Sequence, residues 1–504
     1  MNVLFDGLFP KQGDRERIFL DIPAGRRWRY GDFLDCAGST ANALCEAGVT
    51  AGDRVVAQVA KSPQALALYA ACVGVGAIFI PLNTAYTVSE LTYFVADAGP
   101  RLLVCDPASA DALRPVAEMA GAGLLTLGAE GDGTLAELAA RQPARFQPAD
   151  RGAEDLAAIL YTSGTTGRSK GAMLTHANLL SNAKTLVESW RFTEQDVLLH
   201  ALPIFHTHGL FVACNVTLLA GGSLIFLPAF NLDDVIAALP QASAMMGIPT
   251  FYTRLLADPR FDRSLVAHMR LFTCGSAPLL PEVFAEFAAR TGLHILERYG
   301  MTETNMTTSN PYDGERRGGT VGFPLTNVAL RICDDSGFPV KQGEVGVIEV
   351  RGPNVFKGYW NMPEKTELEF RPDGFFITGD VARIDDDGYV HIVGRAKDMI
   401  ISGGYNVYPR EVEAALDALA GIEESAAFGV PHPDFGEAVV AAFVAKPGVL
   451  VDEGAVIKAL AGTIARFKQP KKLFQVEQLP RNTMGKVQKA ELRSRFAGLF
   501  AGQA

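Results

Sequence analysis

Residues 161–171 read YTSGTTGRSKG, three glycines among hydroxyl side chains with an arginine and a lysine close behind. Consecutive backbone N–H groups in such a turn form an anion nest, and the hydroxyls of Thr162, Ser163, Thr165 and Thr166 add donors. Lys170 supplies charge for a polyphosphate. The P-loop pattern G-x-x-x-x-G-K-[ST] is not met, since only two residues separate Gly164 from Gly167 and Lys170 precedes Gly171. A nucleotide held here is held on another architecture.

Outward from this loop the chain alternates helical stretches with short apolar strands. DFLDCAGSTANALCEAG, DRVVAQV, AIFIPL and RLLVCD precede it; HANLLSNAKTLVESW, VLLHALPI, SLIFLP and RLFTCGSAP follow. That rhythm predicts α/β architecture with parallel sheets and crossover helices. After residue 320 short alternating strands with turn residues predict antiparallel β material. From about 395 a compact α+β unit follows, with helices expected over PREVEAALDAL and EGAVIKALAGTIARF. The expected domains are therefore 1–395 and a smaller 396–504.

The length of 504 residues suits two or three domains, and 48% apolar with 20% charged residues describes a globular chain. A net charge of −10 argues against a broad nucleic-acid surface. The seven cysteines (36, 45, 72, 105, 214, 274 and 333) never form C-x-x-C, which fits reduced thiols in a cytoplasmic protein. No basic n-region with a long apolar run opens the chain, so no signal peptide is expected. Residues 65–82, ALALYAACVGVGAIFIPL, carry no charge, but Gly74, Gly76 and Pro81 punctuate them. An Ala-rich helix leading into a buried strand is expected there, and no membrane span.

Three further segments carry chemistry: ERYGMTET (297–304), closing a strand-like HIL; TGD around Asp380 with GRAKD and SGG after it; and PRNTMGKVQK near the carboxyl end. With the opening loop, in this order, they resemble the adenylate-forming superfamily of acyl-CoA synthetases, firefly luciferase and peptide-synthetase adenylation domains, over essentially the whole chain. The resemblance implies a large αβ-layered domain with a β appendage and a small mobile one rotating near Lys397. It implies attack of a carboxylate on the α-phosphate of ATP, then transfer of the acyl group to CoA.

Carried over, residues 162–170 bind the β,γ-phosphates and Glu303 positions Mg²⁺. Tyr299 and Gly275, Ser276, Ala277 and Pro278 flank adenine, and Thr302 contacts phosphate. Asp380 and Arg395 take the ribose, and Lys486 stabilises the α-phosphate during adenylation. Ser402, Gly403 and Gly404 line the CoA tunnel. Lys486 is also a candidate target of a lysine acetyltransferase.

Many relatives have a small residue before the Tyr-Gly turn; here it is Arg298. A guanidinium beside a fatty or aromatic chain would be a buried unpaired charge, costing several kcal/mol in order of magnitude. It becomes sensible if the substrate brings a second carboxylate. An internal salt bridge to Glu297 or Glu303 is the structural alternative. Arg254 is a second candidate for that carboxylate, with a helix-surface position as its alternative. Ser276 and His206 are expected at the acyl pocket. IFHTHGL, IPTFYTR, ILERYGMTETNM and PRNTMGKVQK together resemble malonyl-CoA synthetases, which implies malonate, ATP and CoA as substrates, and methylmalonate as a second acid. Synthesis of another acyl-CoA, or loading of a carrier protein, are the rival readings. RFKQPKKLF (466–474) either meets CoA phosphates or is a solvated basic face.

Overall fold

The structure is a computed structural model describing all residues except 10–14, 24, 163–168, 403–404, 434, 462, 483–484 and 502–504. It divides into two compact units, Met1–Ala329 with Val350–Phe376, and Leu330–Glu349 with Ile377–Ala504.

The larger unit holds two sheets. In a seven-stranded sheet, Leu156–Thr162, Ile78–Pro81, Arg54–Gln58, Leu102–Cys105 and Gly123–Thr126 run parallel, in that spatial order. Lys170–Thr175 joins antiparallel to Leu156–Thr162, and Gly358–Tyr359 pairs antiparallel beyond it. The opening loop is therefore bracketed by a hairpin whose ends meet at Thr162 and Lys170. A P-loop leads from a strand into a helix; here the helix, His176–Ser189, begins only after a second strand.

The uncharged run 65–82 forms a helix, Pro63–Val75, and a strand, Ile78–Pro81. Ser62 caps the helix by accepting from the Ala65 N–H at 3.1 Å, and Gly76 ends it at φ +78°. Every helix residue except Gln64 is buried, which explains a segment apolar on all sides. Among the described residues no helix is long and apolar enough to cross a membrane.

The second sheet has nine strands and a parallel centre: Leu296–Met301, Leu271–Cys274, Ala244–Gly247, Val197–His200, Ser223–Phe226 and Ile18–Asp21. The sequence suggests that HIL ends in a turn at ERYG. Instead the strand continues to Met301 by changing partner. It pairs in parallel with Leu271–Cys274 through Leu296 and Glu297, then antiparallel with Asn305–Ser309 from Arg298 onward.

In the smaller unit, Ile422–His432 and Gly436–Ala445 form a long antiparallel pair. Residues alternate between faces along a strand, so Val439, Ala441 and Phe443 enter one core while Ala438, Val440 and Ala442 enter another. The first is covered by Val412 and Leu416 of helix Pro409–Asp417 and Val456 and Leu460 of helix Glu453–Leu460; the second is covered by Leu492 of helix Lys489–Phe496. The helix expected over EGAVIKALAGTIARF stops at Leu460, whose carbonyl accepts from the N–H groups of both Thr463 and Ile464.

Candidate active site

In open α/β sheets, ligands gather outside the carboxyl ends of parallel strands. Four neighbouring strands end together here: Val197–His200, Ala244–Gly247, Leu271–Cys274 and the parallel part of Leu296–Met301. The segments leaving those ends carry His206, His208, Gly275, Ser276 and Arg298.

Arg298 is 3% exposed, and its Nε and Nη2 have no hydrogen-bond partner among the described residues. The expected internal partners are engaged elsewhere. Glu297 accepts from the Gly319 N–H at 2.9 Å, and a Glu303 oxygen lies 3.1 Å from the Tyr359 hydroxyl. Burial pushes the Arg298 pKa down to about 10, with the Cys274 and Tyr252 side chains acting in the opposite sense. It stays charged at neutral pH, without a described counter-ion.

Gly275 makes room for this side chain, because a Cβ there would stand 2.2 Å from Arg298 Nη1 and 2.4 Å from Cζ. The next residue, Ser276, adopts φ +70°, an uncommon conformation for a side-chain-bearing residue. Its Oγ lies 3.2 Å from His208 Nδ1, and His208 Nε2 is buried without a described partner. His206 Nδ1 accepts from the His208 backbone N–H at 3.3 Å. Burial, then repulsion from Arg298, pushes the His206 pKa down to about 4 and holds His208 well below the usual imidazole value. Both rings are neutral at pH 7 and add no charge beside Arg298.

His208 opens a π-helical stretch, His208–Cys214, a form often found at functional sites. The stretch is tied to the sheet by a contact the sequence does not announce. His200 Nε2 lies 2.8 Å from the Gly209 carbonyl, and its Nδ1 lies 2.6 Å from Lys61 Nζ. Burial pushes Lys61 down to about 7. Arg254 is placed differently. It lies on the exposed side of helix Pro249–Leu256, 5.9 Å from the Phe230 ring, and no described contact joins it to Arg298.

A second cluster lies where the hairpin ends meet at Thr162 and Lys170. Ser163, Gly164, Thr165, Thr166 and Gly167 lie outside the described residues; Thr162 and Lys170 are register partners. Lys170 Nζ is 3.3 Å from Glu369 Oε1 and 4.0 Å from the centre of the Tyr359 ring. The Tyr359 hydroxyl lies 2.6 Å from Glu369 Oε2 and 3.1 Å from Glu303 Oε1, so two carboxylates share one proton donor. Glu303 is buried, while Tyr299 and Thr302 are half-buried on the strand end and turn before it. Ala277 is half-buried and Pro278 exposed. Tyr161 turns away from the loop, donating its hydroxyl to Asp97 at 2.6 Å.

The smaller unit gathers its own predicted residues. Asp380 and Arg395 face each other across a hairpin and pair at 2.7 Å, with Asp380 buried. Lys397 lies in the single turn Ala396–Asp398, its pKa pushed down to about 8 by burial and then by Arg395. Asp398 in that turn pairs with Arg493 at 2.6 Å. Lys486 sits in a tight loop where its N–H donates to Asn482 Oδ1 at 2.9 Å. Surrounding protein and then Arg395 lower its pKa, opposed by Asp380 and Asp398; the side chain still reaches solvent, which screens the effect. Ser402 is buried in its strand, and Gly403 and Gly404 lie outside the described residues.

Comparison with known proteins agrees with this geometry. Residues 10–360 match the AMP-binding enzyme family, and residues 411–486 match the AMP-binding enzyme C-terminal domain. The chain belongs to the AMP-binding enzyme family. It is an AMP-forming ligase. The crystal structure of ATP-bound MatB from Rhodopseudomonas palustris superimposes with a TM-score of 0.98 at 55% identity, covering 99% of this chain and 100% of that one. A feruloyl-CoA synthase from an Amycolatopsis species is 38% identical over 94% of each chain. The mitochondrial malonate–CoA ligase ACSF3 of Mus musculus is 36% identical over 83% of this chain and 77% of its own.

The tight approach of Gly275 to Arg298 has a measurable consequence. Gly275→Ala is expected to displace the guanidinium and raise KM for the acid substrate about tenfold, in line with a 1–3 kcal/mol overpacking cost. KM for the acid is expected to rise more than KM for ATP, which also shifts since residue 275 opens the segment expected beside the adenine. Steady-state AMP release checks this, and an unchanged acid KM would show that the contact is idle.

Proposed function

We propose that the chain is an ATP-dependent malonyl-CoA synthetase, converting malonate, ATP and CoA to malonyl-CoA, AMP and pyrophosphate through malonyl-adenylate. The observation that carries this is the buried Arg298 guanidinium with two nitrogens that have no partner among the described residues. The curated relatives alone do not choose the acid, since a feruloyl-CoA synthase and a malonate–CoA ligase are similar to this chain by nearly equal margins, but the 55% identity to MatB favours malonate. Charge does choose. An aromatic or fatty acyl group would leave Arg298 unpaired, whereas the distal carboxylate of malonate accepts from Nε and Nη2 together. Ser276 and the neutral His208 add polar contacts beside it. Methylmalonate is a second substrate on this reading, because one methyl group changes binding by only about 1–3 kcal/mol. Arg254, exposed on its helix, is not needed for this reading. The free cysteines fit a reducing, cytoplasmic setting.

The reacting carboxylate of malonate attacks the α-phosphorus of ATP; a new O–P bond forms as the bond to pyrophosphate breaks. Lys170 and the loop from Thr162 hold the β,γ-phosphates, and Tyr299 with the 275–278 segment flanks the adenine. Asp380 and Arg395 hold the ribose. The Lys486 ammonium neutralises charge on the α-phosphate oxygens, an effect worth about 3–4 kcal/mol for a well-placed donor. Mg²⁺ fits Glu303, a buried oxygen donor, because this ion takes one or two carboxylates and otherwise substrate phosphates and water. It would supply charge neutralisation between phosphates. The two half-reactions use 1–395 with different faces of 396–504, turning near Lys397, with Ser402 and the glycines after it meeting CoA.

AMP release measured against malonate, methylmalonate, succinate, acetate, octanoate and coumarate tests the substrate. Malonate is expected to give the highest kcat/KM; acetate, octanoate or coumarate ahead of it would sink the reading. Lys486→Ala is expected to abolish malonate-dependent ATP–pyrophosphate exchange while sparing CoA transfer from preformed malonyl-adenylate. Exchange at the wild-type rate would remove Lys486 from the adenylation step.

A further inference from the structure

Lys170 enters its strand directly from the loop, with a side chain only 12% exposed. A largely buried ammonium needs an anion beside it, and here that anion is Glu369, 3.3 Å away. Glu369 is oddly sited for a purely structural carboxylate. It is the last residue of the helix Pro363–Glu369, where the helix carbonyls disfavour negative charge. It is held there by Lys365, one turn earlier at 2.7 Å, by Lys170, and by the Tyr359 hydroxyl at 2.6 Å. Although burial acts against ionisation, these contacts hold its pKa below the usual carboxylate range. It is therefore charged at neutral pH and has a second cation in reserve. Tyr359 also connects it to Glu303, so the contact lies inside the phosphate-side cluster.

We propose that Glu369 is an electrostatic placeholder for the polyphosphate. Without nucleotide it neutralises Lys170; when the β,γ-phosphates arrive it yields Lys170 to them and keeps Lys365. The inference rests on the reading of Lys170 as a phosphate ligand. Competition of this kind weakens ATP and pyrophosphate binding alike, and so favours pyrophosphate departure after adenylation. AMP, which lacks the β,γ-phosphates, escapes it.

The test is calorimetric titration of the full-length protein with ATP, pyrophosphate and AMP in magnesium buffer. Glu369→Gln keeps the hydrogen bond from Tyr359 and removes the charge. It is expected to tighten ATP and pyrophosphate roughly three- to tenfold, the range of a partly screened ion pair, and to leave AMP unchanged. Glu369→Asp, one methylene shorter, should shift both in the same direction by less. Lys170→Ala should weaken ATP and pyrophosphate but not AMP, and adding Glu369→Gln to it should bring no gain. Unchanged or weaker ATP and pyrophosphate binding in Glu369→Gln, or an equal gain for AMP, overturns the placeholder while Lys170→Ala still loses affinity. If Lys170→Ala binds ATP and pyrophosphate as the wild type does, the phosphate reading of Lys170 fails, and the placeholder with it.

Discussion

A guanidinium without a counter-ion is costly to bury, by several kcal/mol in order of magnitude, and folding does not place one in a core by accident. Among the described residues Arg298 is held in that condition, because the neighbouring carboxylates are engaged elsewhere. Glu297 and Glu303 are committed to Gly319 and Tyr359, and the two nearby histidines are neutral. The surroundings of Arg298 are therefore cationic, and on the proposed reading the second carboxylate of the substrate neutralises them.

The geometry behind this charge is economical. A strand that pairs in parallel up to Glu297 and antiparallel from Arg298 releases its arginine where neighbouring strands end. Gly275 leaves the volume the guanidinium fills, and the positive φ of Ser276 belongs to the same close approach. Lys61 and His200 fix the π-helical segment behind His208. The cluster at Lys170 works by similar logic, with charged groups brought together and then shared: Tyr359 between two glutamates, and Glu369 between two lysines. Both clusters lie in the larger unit; Asp380, Arg395, Lys397 and Lys486 lie in the smaller.

Much of this was legible in the sequence where local chemistry dictates structure. The run 65–82 announced a buried helix and strand because its composition suits no solvated face, and Arg298 stood out because an arginine is expensive at a pocket wall. Long-range pairing hid the rest. ERYG resembles a turn until Asn305–Ser309 is known to pair with it. Glu369 lies in GYWNMPEKTELEF, where a charged helix face conceals which glutamate meets a lysine 199 positions away. The exposed placement of Arg254 follows from which side of its helix packs, a fact of tertiary structure.

The claim that substrate completes the ion pair at Arg298 is tested most directly by kcat/KM for malonate against 3-methylbutanoate, which has the same shape without the second carboxylate. The ratio is compared between wild type and Arg298→Met. If substrate supplies the missing anion, the wild type favours malonate strongly, and the substitution collapses that preference by about 10²- to 10⁴-fold, matching the roughly 3–5 kcal/mol of a broken buried pair. Turnover of 3-methylbutanoate should survive. A preference for malonate that persists undiminished in Arg298→Met would contradict the account.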